Sequence, residues 1–315
     1  MKKVLALVML GVAMLSCARK DRGVKEEYRA FPTVEVPAVI TEPQERMSYM
    51  LVHFWDGFFA GTGVTDTSAV LGVKKSELEK ALASFIELGK RLPKAQAQEA
   101  SGRLFASIEK AQSSDTSSHV YLLMTELVSK YLYDPNSPYR DEDVYLPFVR
   151  GLANSQFTKE EVRPGYAFEL EMCSLNQYGT VAADFGIKDR NGRKYTLHGI
   201  RADYILLFFS NPGCEACKEI VLALKKSPWL DGLIESGRVK VVNVYIDREL
   251  DKWREYEHNY PDSWISGYDY NYIIREDAIY NVRAIPSLYV LDSEKRVLMK
   301  DATTGDVLEF IKNIK

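Results

Sequence analysis

The stretch Phe208–Ile220 reads FFSNPGCEACKEI and places Cys214 and Cys217 in a C-x-x-C pattern. The run before the cysteines, Tyr204–Ser210, is apolar up to its final serine, which is typical of a strand buried on both faces. The residues after the cysteines predict a short helix that ends at a proline. Asn, Pro and Gly at 211–213 predict the turn between strand and helix. The fold around the two cysteines is therefore expected to be strand, turn and helix.

Cys214 is predicted to lie at the N-terminus of this helix. Unpaired backbone N–H groups and the helix dipole stabilise an anion there. Such positions lower a thiol pKa from about 8.5 to roughly 3.5–7.5, and the thiolate is the nucleophile in disulfide exchange. Cys217 lies one helical turn further on the same face, so it can attack a mixed disulfide formed at Cys214. The pattern predicts a redox-active dithiol.

Two other interpretations of the C-x-x-C pair remain. A zinc site needs four ligands, and the remaining cysteines, Cys17 and Cys173, form no second pair. A structural disulfide would close a very short loop and would stabilise the fold little. We therefore interpret Cys214 and Cys217 as catalytic residues that need neither a metal nor an organic cofactor. Cys173, which has apolar neighbours, is expected to be a small buried hydrophobic residue.

The N-terminus has the form of an export signal. Lysines at positions 2 and 3 precede the apolar run 4–15, which is shorter than the about 20 residues of a membrane-spanning helix. The run ends in Ser16-Cys17, which resembles the lipobox of bacterial lipoproteins and implies a signal peptide at 1–17 with a lipid anchor on Cys17. The alternative is an ordinary signal whose cleavage removes Cys17. Both place the mature protein outside the cytoplasm, where disulfide chemistry is permitted.

Composition indicates a two-domain protein without a nucleic-acid partner. The 315 residues carry 41 Lys and Arg against 44 Asp and Glu, a net charge of -3. The highly charged segment 18–36 is predicted to be a flexible tether. The remaining length suffices for two domains, each with its own core, which we place at 37–176 and 177–315.

The first domain is predicted to be all-α. Apolar residues recur every three to four positions in segments separated by glycine, proline or polar breaks. The expected helices lie at about 47–59, 76–92, 95–111, 120–133, 141–152 and 158–175. Pro164 is expected to kink or restart the last of them.

The second domain changes to strand periodicity. Residues 183–188 and 194–197 alternate like strands, and Asn191-Gly192 predicts a hairpin between them. Further strands are predicted at 204–210, 238–247, 285–292 and 296–300, with helices at 218–226, 248–259 and 304–314. This order predicts an α/β domain with a mixed sheet covered by helices on both faces.

Residues 180–315 resemble the thioredoxin-fold domain of the TlpA-like, membrane-anchored thiol–disulfide oxidoreductases. The resemblance rests on Ala183-Asp184-Phe185, on Cys214-Glu215-Ala216-Cys217 and on Ile285-Pro286-Ser287. It implies that the peptide bond before Pro286 is cis. It also implies that Pro286 and Ile285 shape the substrate groove beside the cysteines, and that Pro286 keeps metal away from the thiols. Residues 37–176 resemble a helical domain of unknown function that precedes thioredoxin-like domains in bacterial lipoproteins.

Two positions depart from the pattern of that family. The residue before the first cysteine is usually Trp, whereas Gly213 stands here. Thioredoxins have a buried Asp six residues before the first cysteine, which takes a proton from the resolving thiol. In this chain that position is occupied by Phe208. Glu215 or Glu219 can be considered as a replacement base, but acidic residues in a first helical turn usually serve the helix dipole.

The sequence therefore predicts a lipid-anchored thiol–disulfide oxidoreductase on the periplasmic side of a membrane. It is expected to reduce disulfides in extracytoplasmic proteins and to depend on a membrane electron donor. The alternative is a protein- or ligand-binding lipoprotein whose thioredoxin-like domain is mainly a scaffold. Peroxide reduction is disfavoured, since residues 211–213 supply neither the Thr nor the Arg that this chemistry usually places beside the reactive cysteine.

Glu215 stands between the cysteines, and its negative charge opposes a thiolate at Cys214. We therefore expect a reductant, with a reduction potential clearly below the about -120 mV of strong oxidants. Redox titration against glutathione measures this potential. A value near that of the strong oxidants would contradict the expectation.

Overall fold

The computed structural model describes residues 28–314, which form two hydrophobic assemblies in succession along the chain. The first has its core between Leu51 and Cys173, and the second begins at Ala182. The predicted signal peptide, the proposed lipid-anchor residue Cys17 and the first part of the predicted tether lie outside the described residues.

The N-terminal domain is helical, as predicted. Its helices are α1 (Pro43–Val52), α2 (Asp56–Phe59), α3 (Lys75–Lys90), α4 (Lys94–Ser114), α5 (Val120–Leu132), α6 (Glu142–Asn154) and α7 (Arg163–Cys173). Their apolar faces meet around fully buried aromatic side chains, among them Phe58, Phe85 and Phe148. A short hairpin, β1 (Ala69–Val70) and β2 (Val73–Lys74), joins α2 to α3. No helix within residues 28–314 has both the length and the apolar character to cross a bilayer.

The predicted helix over 47–59 is divided into α1 and α2 by a turn at 53–55. This turn carries Trp55 into the core, where its ring meets Phe31 and Phe58 edge-on at centroid distances of 5.3 and 5.7 Å. An uninterrupted helix would carry the chain onward without turning it, so tertiary packing decides the break here.

The described part of the predicted tether packs against the helical domain. Arg29 donates hydrogen bonds from Nε to the carbonyl of Leu71 and from Nη2 to that of Phe58, each at 2.7 Å. The Phe31 ring stacks on Phe58 at 5.8 Å. The prediction of a solvated tether is therefore wrong for these residues, because two side chains in a segment rich in charge find partners in the fold.

The second domain contains a seven-stranded mixed sheet with the order β4-β3-β7-β6-β5-β8-β9. The strands are β3 (Gly186–Asp189), β4 (Lys194–Thr196), β5 (Tyr204–Phe209), β6 (Val239–Tyr245), β7 (Ile265–Asp269), β8 (Ser287–Asp292) and β9 (Val297–Met299). Strands β5, β6 and β7 run parallel, and β8 pairs antiparallel with β5. The central strand β5 is buried from its second residue onward, as its continuous apolar run predicts.

Helices cover the two faces of this sheet. They are α8 (Glu215–Lys225), α9 (Pro228–Glu235), α10 (Leu250–Tyr256), α11 (Ile273–Glu276) and α12 (Thr304–Lys312). Alternate residues of β5 enter different cores: Leu206 and Phe208 pack with α8, α9 and α12 on one face. Leu207 and Phe209 pack on the other face with α11 and the loops beside it.

Strand β7 and helix α9 are absent from the prediction. The residues of β7, ISGYD, contain no apolar run. Gly267 at the centre of the strand has no side chain, which allows the backbone of β3 to come close. A Cβ at Gly267 would lie 2.6 Å from the carbonyl oxygen of Lys188. Pro228 opens α9 instead of only ending α8, and the Ser227 hydroxyl caps the new helix by accepting from the Leu230 N–H at 3.4 Å.

A buried acidic side chain, Glu142, joins the two domains. Its Oε2 lies 2.8 Å from Nζ of Lys300, which follows β9, and its Oε1 lies 2.9 Å from Nη2 of Arg283. The Arg283 guanidinium also lies over the Tyr133 ring, 3.7 Å from its centroid. Because a buried charge without a partner is costly, these contacts favour one orientation of the two domains.

Replacing Lys300 with Met should lower the free energy of unfolding by about 3 kcal/mol, because the buried Glu142 loses one of its cations. Chemical denaturation measures the change. A matched surface variant is Arg238→Gln, which breaks the exposed pair with Asp203 and should cost at most about 1 kcal/mol. Equal losses in the two variants would contradict a structural role for the buried cluster.

Candidate active site

Cys214 lies at the N-terminus of α8, as predicted. It is the N-cap residue, with φ -76° and ψ 111°, and its Sγ accepts a hydrogen bond from the backbone N–H of Cys217 at 3.1 Å. The sulfur therefore occupies the position at which unpaired helical N–H groups and the helix dipole favour negative charge. Local geometry thus supplies the environment that activates a thiol.

The two cysteines are joined by a disulfide, with their Cα atoms 5.2 Å apart. Their exposure differs. Cys214 is partly buried, whereas Cys217 is 2% exposed and packs among Phe208, Val221 and Leu224. A partner molecule can therefore reach the first sulfur and not the second, an asymmetry that suits an attacking and a resolving cysteine.

A polar contact between two parallel strands holds the loop before Cys214. The Asn211 amide donates to a carboxylate oxygen of Asp247, which follows β6, at 2.7 Å. Asp247 also pairs with Arg275 at 2.9 Å. The carboxyl ends of β5 and β6 lie side by side, so the polar residue after each strand can meet its neighbour. Sequence reasoning overlooked Asp247, although a polar residue directly after a buried strand was the available signal.

Ile285 and Pro286 lie on the segment that enters β8, beside the loop that carries the cysteines. The peptide bond between them is cis. Ser287, the next residue, pairs with Phe209 at the end of β5, so continuation of this register places Pro286 level with Ser210. Ile285 contacts the apolar cluster that contains Cys217 and that Cys214 packs against. The segment before β8 and the loop that carries the cysteines are therefore neighbours.

Neither candidate base is buried beside Cys217. Glu215 and Glu219 are both exposed, and Glu215 lies 3.3 Å from Nζ of Lys218. Phe208, at the position of the family's acid, is fully buried. The buried or largely buried carboxylates Glu142, Asp143, Asp269 and Asp301 make their hydrogen bonds or ion pairs with groups other than the two cysteines.

An uncharged polar network lies beneath the loop instead. The Ser210 hydroxyl donates to Asn243 Oδ1 at 2.5 Å and lies 2.8 Å from the Tyr260 hydroxyl. Burial raises the pKa of Tyr260, which keeps its hydroxyl neutral. The network anchors the end of β5 to β6 without adding charge next to the cysteines.

A groove of about 440 Å³ opens directly beside Cys214. Gly213 and α8 form one wall, and Tyr256 and Tyr260 form the other. Leu222 in this groove is 46% exposed, so apolar surface is available next to the Cys214 sulfur. A larger cavity of about 800 Å³ lies between the two domains, away from the cysteines. Since it contains neither sulfur, the smaller groove is the candidate active site.

The third described cysteine lies apart from the site. Cys173 is fully buried in the core of the helical domain and is not disulfide-bonded, in agreement with the prediction of a small buried hydrophobic residue. Burial raises the pKa of its thiol, which keeps the thiol protonated. Within residues 28–314, no group of three or more His, Cys, Asp or Glu side chains is arranged to hold a metal ion.

Residues 15–176, about half of the chain, match the model of DUF5106, described as a domain of unknown function. The chain belongs to the DUF5106 family. This match agrees with the resemblance of the helical half to a domain of unknown function. The search of curated proteins gives no match to this DUF5106 protein.

A solved structure described as a thioredoxin-like protein, from Bacteroides caccae, is similar over nearly the whole length. It is 34% identical, the match covers 91% of this chain and 99% of that chain, and the TM-score is 0.76. The DUF5106 protein thus combines its helical domain with a thioredoxin-like fold, as predicted.

Two shorter structures match the C-terminal half. The C-terminal domain of an uncharacterized protein from Bacteroides fragilis is 40% identical, with 44% of this chain and 99% of that chain covered and a TM-score of 0.43. The thioredoxin domain of a thiol-disulfide oxidoreductase from Bacteroides vulgatus is 20% identical, with 43% and 95% covered and a TM-score of 0.38.

Gly213 has a positive φ of 74°, and a Cβ there would meet no heavy atom of the described residues within 4 Å. Gly213→Ala should therefore lower the free energy of unfolding by about 1–2 kcal/mol through backbone strain alone. Gly165→Ala is the matched control, since its Cβ also meets open space but its backbone is helical. That variant should be neutral or more stable by up to about 1 kcal/mol. Urea denaturation measures the free energy of unfolding of both variants. An unchanged value for Gly213→Ala would show that the positive φ at this position causes no backbone strain in alanine.

Proposed function

We propose that this protein is a thiol–disulfide oxidoreductase that reduces disulfides in extracytoplasmic proteins. The observation that carries the proposal is the asymmetric pair of cysteines. The Cys214 sulfur caps a helix at the edge of a groove, and Cys217, which is buried, is within bonding distance of it. A structural disulfide would gain nothing from an accessible first sulfur at a helix N-terminus, whereas exchange requires it.

The proposed reaction is a two-electron transfer. The Cys214 thiolate attacks one sulfur of the partner's disulfide, which forms a mixed disulfide and releases the other partner sulfur as a thiolate. Cys217 then loses its proton and attacks the Cys214 sulfur, so the second partner thiolate leaves. The enzyme disulfide that results is the state seen here. A membrane electron donor of the thiol or dithiol class must return two electrons before the next cycle.

The substrate groove is assigned to the surface beside Cys214. Ile285 and Pro286 precede β8 and flank the loop of the cysteines, so we infer that they contact the extended substrate chain. The absent tryptophan side chain at Gly213 leaves the adjoining space open. Such a groove accepts varied partners, because one of its walls contains no fixed aromatic ring.

Location follows from the N-terminal sequence. Residues 1–17 have the form of a signal peptide that ends in a lipobox, and we propose that Cys17 carries the lipid anchor. An anchored enzyme on the periplasmic side would meet exported proteins in a compartment that permits disulfides. Multiple acyl chains on one residue would hold it stably at the membrane.

The binding-module alternative would use the cavity between the domains. Several of the charged side chains that line this cavity already have partners: Lys90 lies 3.0 Å from Glu87, and Arg140 lies 3.5 Å from Asp301. The cavity therefore offers less unsatisfied charge to a ligand than its composition suggests. We favour the oxidoreductase.

Cys214→Ser should abolish catalysed reduction of insulin by dithiothreitol, because no nucleophile remains at the helix N-terminus. Cys217→Ser should instead accumulate mixed disulfides with partner proteins, which reducing agent releases. Cys173→Ala is the control and should retain exchange, since that thiol is buried in the other domain. Retained insulin reduction in Cys214→Ser would show that this cysteine is not the nucleophile.

A further inference from the structure

The start of α6 contacts the chain just upstream of Pro286. We call residues 285–287 the Pro286 segment. Glu142 Oε1 accepts a hydrogen bond from the Asn281 amide and another from Arg283 Nε, each at 2.9 Å. The side chain of Glu142 is fully buried, and that of Arg283 is 19% exposed. These contacts hold the chain that enters the segment.

A second set of contacts holds the chain at the downstream end. The Ser287 hydroxyl donates to Asp301 Oδ1 at 2.5 Å, and the same oxygen lies 3.5 Å from Nη2 of Arg140. Arg140 stands two residues before α6 and also donates from Nη1 to the Pro135 carbonyl at 2.9 Å. The side chains of Asp301 and Arg140 are only 7% and 14% exposed. Glu142 therefore contacts the chain upstream of the Pro286 segment, and Arg140 is linked to the downstream end of the segment through Asp301.

The segment so held adjoins the cysteines. Ser287 pairs with Phe209, the last residue of β5, and the loop from that strand leads to Cys214. By contrast, the contacts that place Cys214 and Cys217 belong to α8 and to the loop before it. The Pro286 segment beside the cysteines thus depends on the helical domain, whereas the placement of the two sulfurs does not.

We propose that the helical domain positions the Pro286 segment for docking of the disulfide-bearing protein, with Arg140 and Glu142 as positioning residues. The inference rests on the proposed function and assigns a role to the DUF5106 domain within it. A segment held from both ends is ordered before the substrate binds, so binding loses less conformational entropy. Disulfide exchange with a small molecule, which needs no groove, is independent of this support.

The test compares two substrates in the full-length protein. Arg140→Gln should raise KM for insulin about three- to tenfold, because it removes a largely buried charged contact. The kcat for insulin and the rate with hydroxyethyl disulfide, a small probe, should stay unchanged. Arg140→Lys keeps the charge and should recover part of the affinity.

Lys94→Gln is the matched control. It removes an ion pair of 2.6 Å with Asp141, the residue next to Arg140, and its side chain is 27% exposed. That pair lies within the helical domain, so KM for insulin should match that of the unmodified protein. Amide hydrogen exchange gives a second measurement, with faster exchange expected at 281–288 in Arg140→Gln and not in Lys94→Gln.

The outcomes separate the two proposals. An unmodified protein that reacts with neither disulfide overturns the proposed function and the positioning role with it. An active protein in which folded Arg140→Gln shows the unmodified KM and unchanged exchange at 281–288 overturns the positioning role alone. Glu142→Gln tests the upstream contacts. Should it fail to fold, Asn281→Ala, which removes one of the hydrogen bonds that Glu142 accepts upstream of the Pro286 segment, carries the same comparison.

Discussion

The arrangement of this site depends on one hydrogen bond, which the backbone N–H of Cys217 donates to the Cys214 sulfur. It exists only when the first cysteine caps a helix and the second lies three residues later, in the first turn. The same spacing brings the two sulfurs within bonding distance. One local geometry therefore provides the polar environment of the Cys214 sulfur and the reach of Cys217. Helix α8 is in turn held by its packing against Leu206 and Phe208 of β5.

Features that local sequence determines could be predicted. The buried strand β5, the turn before Cys214 and the division into a helical and a mixed-sheet domain depend on apolar periodicity and on turn residues, which act over a few positions. The cysteine geometry belongs to this class, since a strand, a turn and a helix in succession define it. Strand β7 does not. A glycine is required at Gly267 only because the backbone of β3 approaches it closely, and β3 is remote in sequence.

The contacts between the domains lay beyond sequence reasoning for a related reason. Glu142 stands in the first turn of a helix, where an acidic residue normally faces solvent and interacts with the helix dipole. Its partner Asn281 lies 139 residues away in sequence, and no periodicity relates the two positions. The contact of Asn211 with Asp247 joins the ends of separate strands in the same way. Single residues that find remote partners have no pattern to reveal them.

The buried ion pairs of Glu142 restrict how the two domains can be arranged. Apolar surfaces alone tolerate sliding, because the hydrophobic effect is not directional. The buried Glu142 carboxylate faces Lys300 and Arg283 at once. Such an interface tolerates little sliding, because any displacement of the domains leaves a charge unpaired. Arg283 stands just before the Pro286 segment, and Lys300 follows the end of β9. The interaction that holds the helical domain against the second domain therefore also holds the chain that enters the Pro286 segment.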